Sequence, residues 1–167
     1  MRMRRLLLLA FAATVVTIAV TAVSAGANAT SRPFKGSMSG AVTFVVDTGC
    51  PLGLRSDTAA TGTGSHLGGF TTDSSHCSGL TFAGEQTMVA ANGDKLFADY
   101  ESVGPPVIPP SEVGTVYDVP AAFTITGGTG RFADATGGGY MIAHITFMGF
   151  GAPVWPATFD WQGTIGY

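Results

Sequence analysis

Apolar and polar residues alternate strictly along the last ten residues of the chain. Phe159, Trp161, Gly163, Ile165 and Tyr167 fall on one face of an extended backbone, and Thr158, Asp160, Gln162 and Thr164 on the other. A period of two is that of a β-strand with one dry and one wet face. Gly139–Met148 repeats the pattern, setting Met141, Ala143, Ile145 and Phe147 against Tyr140, His144 and Thr146. In Gln86–Ser102, Asn92-Gly93 separates two such segments and predicts a hairpin closed by a type I′ turn, which needs two residues with positive φ. Further strands are expected near Phe34–Val46, His66–Thr72, Leu80–Ala83 and Ala121–Thr126, about eight in all. Two segments read as loops by composition: Thr48–Gly64, rich in Gly, Thr and Ser, and Gly104–Gly114, which holds Pro105, Pro106, Pro109 and Pro110. No long stretch carries apolar residues at helical spacing. The expectation is an all-β domain, either a closed antiparallel barrel or a two-sheet sandwich.

The N-terminus departs from this pattern. Arg2, Arg4 and Arg5 precede an apolar run, Leu6–Ala22, and small residues ending in Ala27-Asn28-Ala29 follow it. That sequence of regions is a secretory signal peptide with an A-x-A site, predicting a leader over residues 1–29 and a single domain over 30–167. No Cys follows the run, so a lipoprotein anchor is not expected, and a secreted protein is. The exported part carries five basic and eleven acidic residues. It has no basic footprint for nucleic acid or anionic lipid. In an oxidising compartment its two cysteines, Cys50 and Cys77, pair most simply as a disulfide. Closing that loop contributes roughly 3–4 kcal/mol in the chain-entropy picture.

The segment Phe123–Tyr140, FTITGGTGRFADATGGGY, contains Gly127-Gly128-Thr129-Gly130-Arg131-Phe132-Ala133. Those residues can be read as the GxGxxA form of a dinucleotide loop. Such a loop needs a long helix after it and a second parallel strand bearing an acidic residue. Here Gly137-Gly138-Gly139 follow within a turn and the next segment is an amphipathic strand, so no cofactor is expected. Gly127, Gly128 and Gly130 instead predict a tight bend, with Arg131–Ala135 as one helical turn. With the preceding AANGDKLFADYES hairpin, this segment resembles the GGTGRF-type region of plant dirigent proteins and the allene oxide cyclase barrel superfamily, including secreted bacterial members. The resemblance covers Ala90–Tyr140, and GSHLGGFT (Gly64–Thr71) resembles another segment of the bacterial members. It implies an eight-stranded antiparallel barrel with a central cavity, often assembled into homo-oligomers, and favours the barrel over the sandwich. Those families cyclise a fatty-acid epoxide or steer the coupling of phenoxy radicals. Their catalytic carboxylate and cavity arginines have no matching positions here, so the resemblance implies the scaffold without the chemistry.

Candidate chemistry is sparse. Asp99 and Glu101, at i and i+2 on one strand face, could form an acid/base pair if that face lined the cavity. The opposite face, Leu96, Ala98 and Tyr100, is the more apolar and predicts them outside. His144 is a further cavity candidate, although it shares a face with Tyr140 and Thr146. His66, His76 and His144 have no ligand-like spacing, and neither GxSxG nor HExxH occurs. His76 and Cys77 are adjacent, so a strand points them to opposite faces, which argues against a thiol–imidazole pair. The function expected is therefore a barrel that holds a small apolar molecule without acting on it. An isomerase or cyclase acting on an oxidised lipid, and a structural surface protein with a filled barrel, are the alternatives.

Overall fold

The computed structural model describes residues 30–167; residues 1–29, and with them the expected leader, lie outside the described residues. Eight strands follow one another: β1 (Arg32–Val46), β2 (Leu54–Gly64), β3 (Gly68–Cys77), β4 (Ala83–Ala90), β5 (Lys95–Ser102), β6 (Val116–Gly128), β7 (Thr136–Thr146) and β8 (Val154–Gly166). Each pairs antiparallel with its sequence neighbours, and β8 returns to β1 along Arg32↔Ile165 to Thr43↔Val154. The architecture is a closed eight-stranded barrel. Closure leaves no unpaired strand edge, and it settles the choice between barrel and sandwich.

The two-residue period assigns the faces as the sequence indicates. Phe159, Trp161 and Ile165 of β8 and Met141 and Ala143 of β7 are buried inside the barrel. The strand boundaries differ more. The segment read as a loop, Thr48–Gly64, contains β2, while Leu80–Phe82 belongs to a connection, so the expected number of strands arose from one omission and one division. After Leu54, β2 lacks large apolar residues, and at its far end its neighbours approach closely: a Cβ on Gly62 would sit 2.6 Å from the Cβ of Met38, and one on Gly64 would sit 2.9 Å from the Trp161 ring. The hairpin turn differs as well. Ala90 and Asp94 close a three-residue loop in which only Gly93 has positive φ, +87°. That is a type I turn followed by a left-handed residue, the second common hairpin solution.

One end of the barrel is packed shut. Phe34, Phe70, Leu96, Phe132, Trp161 and Ile165 fill it, with Trp161 in edge or tilted contact with Phe70 and Phe34 at 5.5 and 6.0 Å. The GGTGRF corner supplies the plug. Gly127 and Gly130 take φ of +132° and +58°, a single 3₁₀ turn covers Gly130–Phe132, and Phe132 is fully buried against Tyr167. The single helical turn expected over Arg131–Ala135 is thus present as a 3₁₀ turn that begins one residue earlier and ends at Phe132. Thr129 Oγ1 accepts the Lys95 N–H at 2.9 Å and Arg131 lies 3.7 Å from Asp94, which ties the corner to the β4–β5 hairpin. A bulge where the register passes from Phe97↔Gly127 to Ala98↔Ile125 leaves Thr126 without a partner on β5.

The other end carries the connections 47–53, 78–82, 103–115 and 147–153. There Cys50 and Cys77 form a disulfide, with Cα atoms 5.2 Å apart, that fastens the first connection to the end of β3.

Candidate functional site

The open half of the barrel is hollow. A cavity of about 430 Å³ lies above the plug and opens between the four connections. It falls within the roughly 300–1,000 Å³ range of small-molecule sites. Its rim is apolar. Among the described residues, every exposed large apolar side chain except Tyr140 and Ile142 belongs to this end of the barrel, Phe150 and Val46 most fully, at 81% and 80% exposure.

The inner wall has two sides. The side formed by β6, β7, β8 and β1 is hydrocarbon and aromatic, with Val119, Ala121, Ala143, Phe159 and Val42 behind Trp155. Phe44 and Phe147 pack edge-on against Trp155 with centroids at 4.6 and 5.0 Å. The side formed by β2–β5 is polar: Ser56 and Thr58, Ser74 and His76, Gln86, and Tyr100. Cross-strand register produces this stripe, since Ser56 faces His76 and Thr58 faces Ser74, which faces Gln86. Most of these groups are already partnered. Gln86 Nε2 donates to Thr72 Oγ1 at 3.0 Å, Thr72 Oγ1 donates to the Thr87 carbonyl at 2.8 Å, and the Ser56 and Ser78 hydroxyls share a 2.6 Å hydrogen bond.

At the centre of the polar side, His76 Nδ1 and Tyr100 Oη are 2.8 Å apart. The two residues are on β3 and β5, with β4 between them. Gly84 makes the contact possible: it pairs with Tyr100, and a Cβ there would sit 2.6 Å from the phenol oxygen. Phe82 stacks on the His76 ring at 4.5 Å, and this holds the imidazole plane. Burial pushes the His76 pKa down to about 4, only partly offset by Asp57 on the outer face. Burial also raises the Tyr100 phenol, against which the adjacent Ser74 hydroxyl works. Tyr117, on the apolar side, is pushed up to about 12 by burial. At neutral pH the site is thus an uncharged imidazole hydrogen-bonded to an uncharged phenol. It can donate or accept hydrogen bonds, but a base with a pKa near 4 is poorly matched to proton abstraction at neutral pH.

The residues singled out in the sequence lie elsewhere. Asp99 and Glu101 are exposed on the outer face of β5, while Ala98 and Tyr100 between and beside them turn inward. His144 is also outside. Its Nδ1 is 2.6 Å from Asp118 and its Nε2 3.5 Å from Asp160, bridging β6, β7 and β8 on the solvent side. None of the three lines the cavity, because the period of two sets each opposite an inward apolar neighbour. Gly127, Gly128, Gly130 and Arg131 act in the plug at the closed end. His66 bridges Tyr167 Oη and the Pro33 carbonyl, both at 3.1 Å, as a closure contact. Asp57, also outward, is held below the usual carboxylate range by Arg55, which donates to it at 2.8 and 2.9 Å. No cluster of three His, Cys, Asp or Glu residues suited to a metal ion occurs among the described residues.

Sequence reasoning missed His76 and Tyr100. A signal was present: Phe70, Thr72, Ser74 and His76 continue one inward face of β3 two residues at a time. A glycine inside a strand, Gly84, marks close approach by a neighbour. No family model matches this sequence, and no curated protein matches it either.

Proposed function

We propose that this protein is an exported barrel that binds one small, mainly apolar molecule in its cavity and performs no chemistry on it. The observation that carries the reading is the unfilled, largely hydrocarbon cavity of about 430 Å³ under an apolar rim. Interiors normally pack to the density of organic crystals, so a hollow of this size beside Trp155 and Phe159 is a space to be occupied. A filled structural barrel is the less favoured reading for the same reason. We place the fold with the allene oxide cyclase and dirigent barrels on the GGTGRF corner and its plug, and the disulfide is compatible with an extracellular location.

One observation favours a second reading, an isomerase or cyclase: a histidine and a tyrosine hydrogen-bonded at the edge of the void. Against it stand the low basicity of His76 and the absence of any carboxylate in the cavity wall among the described residues.

Native mass spectrometry of protein purified from its own source tests the first reading. Wild type should carry a small molecule, and Ala121→Trp, which fills the cavity from β6, should lose it while remaining folded. Protein that is empty as isolated, and that takes up no apolar probe, overturns the reading. The same spectra test export and the leader, which require a mature chain beginning at Thr30.

A further inference from the structure

We propose that the open end of the barrel is a docking face for the surface of a zwitterionic lipid bilayer, with Val46, Ile108, Val113 and Met148 entering the acyl layer. Docking of this kind goes beyond ligand binding and does not require the cavity to be occupied.

The cavity does not account for these side chains. Leu52, Leu80 and Phe150 border the hollow, and their exposure follows from forming its lip. Val46, Ile108, Val113 and Met148 do not line it, yet all four are exposed, Ile108 at 74%. They lie on or beside three of the four connections around the mouth. Single apolar residues scattered over a surface need no explanation, but a set gathered around one opening marks an interaction face.

The charge pattern selects the occupant. The four connections carry Asp47 and Glu112 and no base. Arg55, the cation nearest them, is held by Asp47 at 2.9 Å and by Asp57 at 2.8 Å. The other four cations of the described residues, Arg32, Lys35, Lys95 and Arg131, belong to the closed end. Asp47, Asp57 and Glu112 outnumber Arg55, so the open end is net negative and an anionic surface would repel it. Interfacial binding draws on inserted apolar area and on attraction to anionic lipid, and this face offers only the first. A second copy of the chain fits less well. Two copies meeting mouth to mouth would use the same face, setting one negative rim against another and joining two cavities into a shared hollow that no atoms fill. Fluid acyl chains conform to side chains that protrude around an opening and leave no such void.

Flotation of the mature chain with phosphatidylcholine vesicles tests the docking, and uptake of the neutral fluorophore N-phenyl-1-naphthylamine by the same protein reads the cavity separately. Wild type should float with phosphatidylcholine at low and at high salt, and adding phosphatidylglycerol should not strengthen binding. Val46→Gln combined with Ile108→Gln should reduce partitioning about tenfold or more, with fluorophore uptake unchanged. Tyr140→Gln combined with Ile142→Gln, which removes exposed apolar area from the barrel wall instead, should leave partitioning at the wild-type level. The docking is overturned if wild type does not float, if flotation needs phosphatidylglycerol and is reversed by salt, or if the rim variant floats as wild type does or loses no more than the wall variant. A lipid-free dimer of wild type that the rim variant dissociates also overturns it, and assigns the face to a second copy. In each of these cases retained fluorophore uptake leaves the ligand-binding reading standing, whereas wild type that floats but takes up no fluorophore supports docking and counts against ligand binding.

Discussion

Acidification should destabilise the barrel through His76 before any buried carboxylate is involved. In the unfolded chain this imidazole protonates near pH 6.5, whereas in the fold burial among Tyr100, Phe82 and the cavity wall keeps it neutral down to about pH 4. Between those values the unfolded state binds a proton that the folded state does not, so stability is full above about pH 6.5. It declines as pH falls and levels off below about pH 4. At about 1.4 kcal/mol per pKa unit, the drop from 6.5 to about 4 sets a ceiling of about 3 kcal/mol. The ring borders an open cavity that water can enter, and this should reduce the measured loss to about 1–2 kcal/mol. Asp57 acts lower on the scale: its depressed pKa contributes stability above the normal carboxylate range that is lost only as pH falls through that depressed value. Urea denaturation of wild type and His76→Phe, measured from pH 7.5 to 4.5, isolates the effect, because carboxylates common to both cancel in the difference. Wild type should lose stability relative to the variant as pH falls. A difference that stays constant across the range refutes the assignment of a neutral, desolvated His76.

Three further predictions concern the scaffold. Replacing Cys50 and Cys77 with serine removes a link across 27 positions at the open end and should cost about 3–4 kcal/mol in urea denaturation; a cost below about 1 kcal/mol would show the connections to be held by packing alone. Phe132→Ala empties the plug at the closed end and should cost about 3–5 kcal/mol, the usual range for a fully buried aromatic, with ligand capacity at the open end retained if the protein is assayed below its unfolding transition. Gly40→Ala would drive a methyl group into the backbone of Ala59 and Ala60 where β1 meets β2 and should cost about 1–3 kcal/mol by thermal melting, whereas Gly93→Asn at the exposed hairpin should cost less than about 1 kcal/mol.

Much of the fold is legible in the chain because inward and outward positions alternate along strands that, apart from the closing pair β1 and β8, hydrogen-bond to their sequence neighbours. Phe159, Trp161 and Ile165 announce β8, and Met141 and Ala143 announce β7. β2 is not legible, since its inward residues are small or polar: Ser56, Thr58, Ala60 and Gly62. At Gly62 the limit is set by Met38 across the strand pairing, and Ser56 and Thr58 line the hollow end, neither of which any local window contains. The same limit applied to the site. Asp99, Glu101 and His144 attract attention as titratable residues, yet each points to solvent.

The order of residues is enough to specify the all-β class, which face of most strands is dry, the corner at Gly127–Arg131 and the pairing of the two cysteines. These are local consequences of a two-residue period and of glycine's freedom, or of there being a single possible pair. Three features emerge from the folded barrel alone: the sheet closes, one end is plugged by Phe132 while the other stays hollow, and His76 meets Tyr100 across Gly84. Each of those depends on register between strands and on side-chain volume summed around the barrel. Neither quantity belongs to any one segment of the chain.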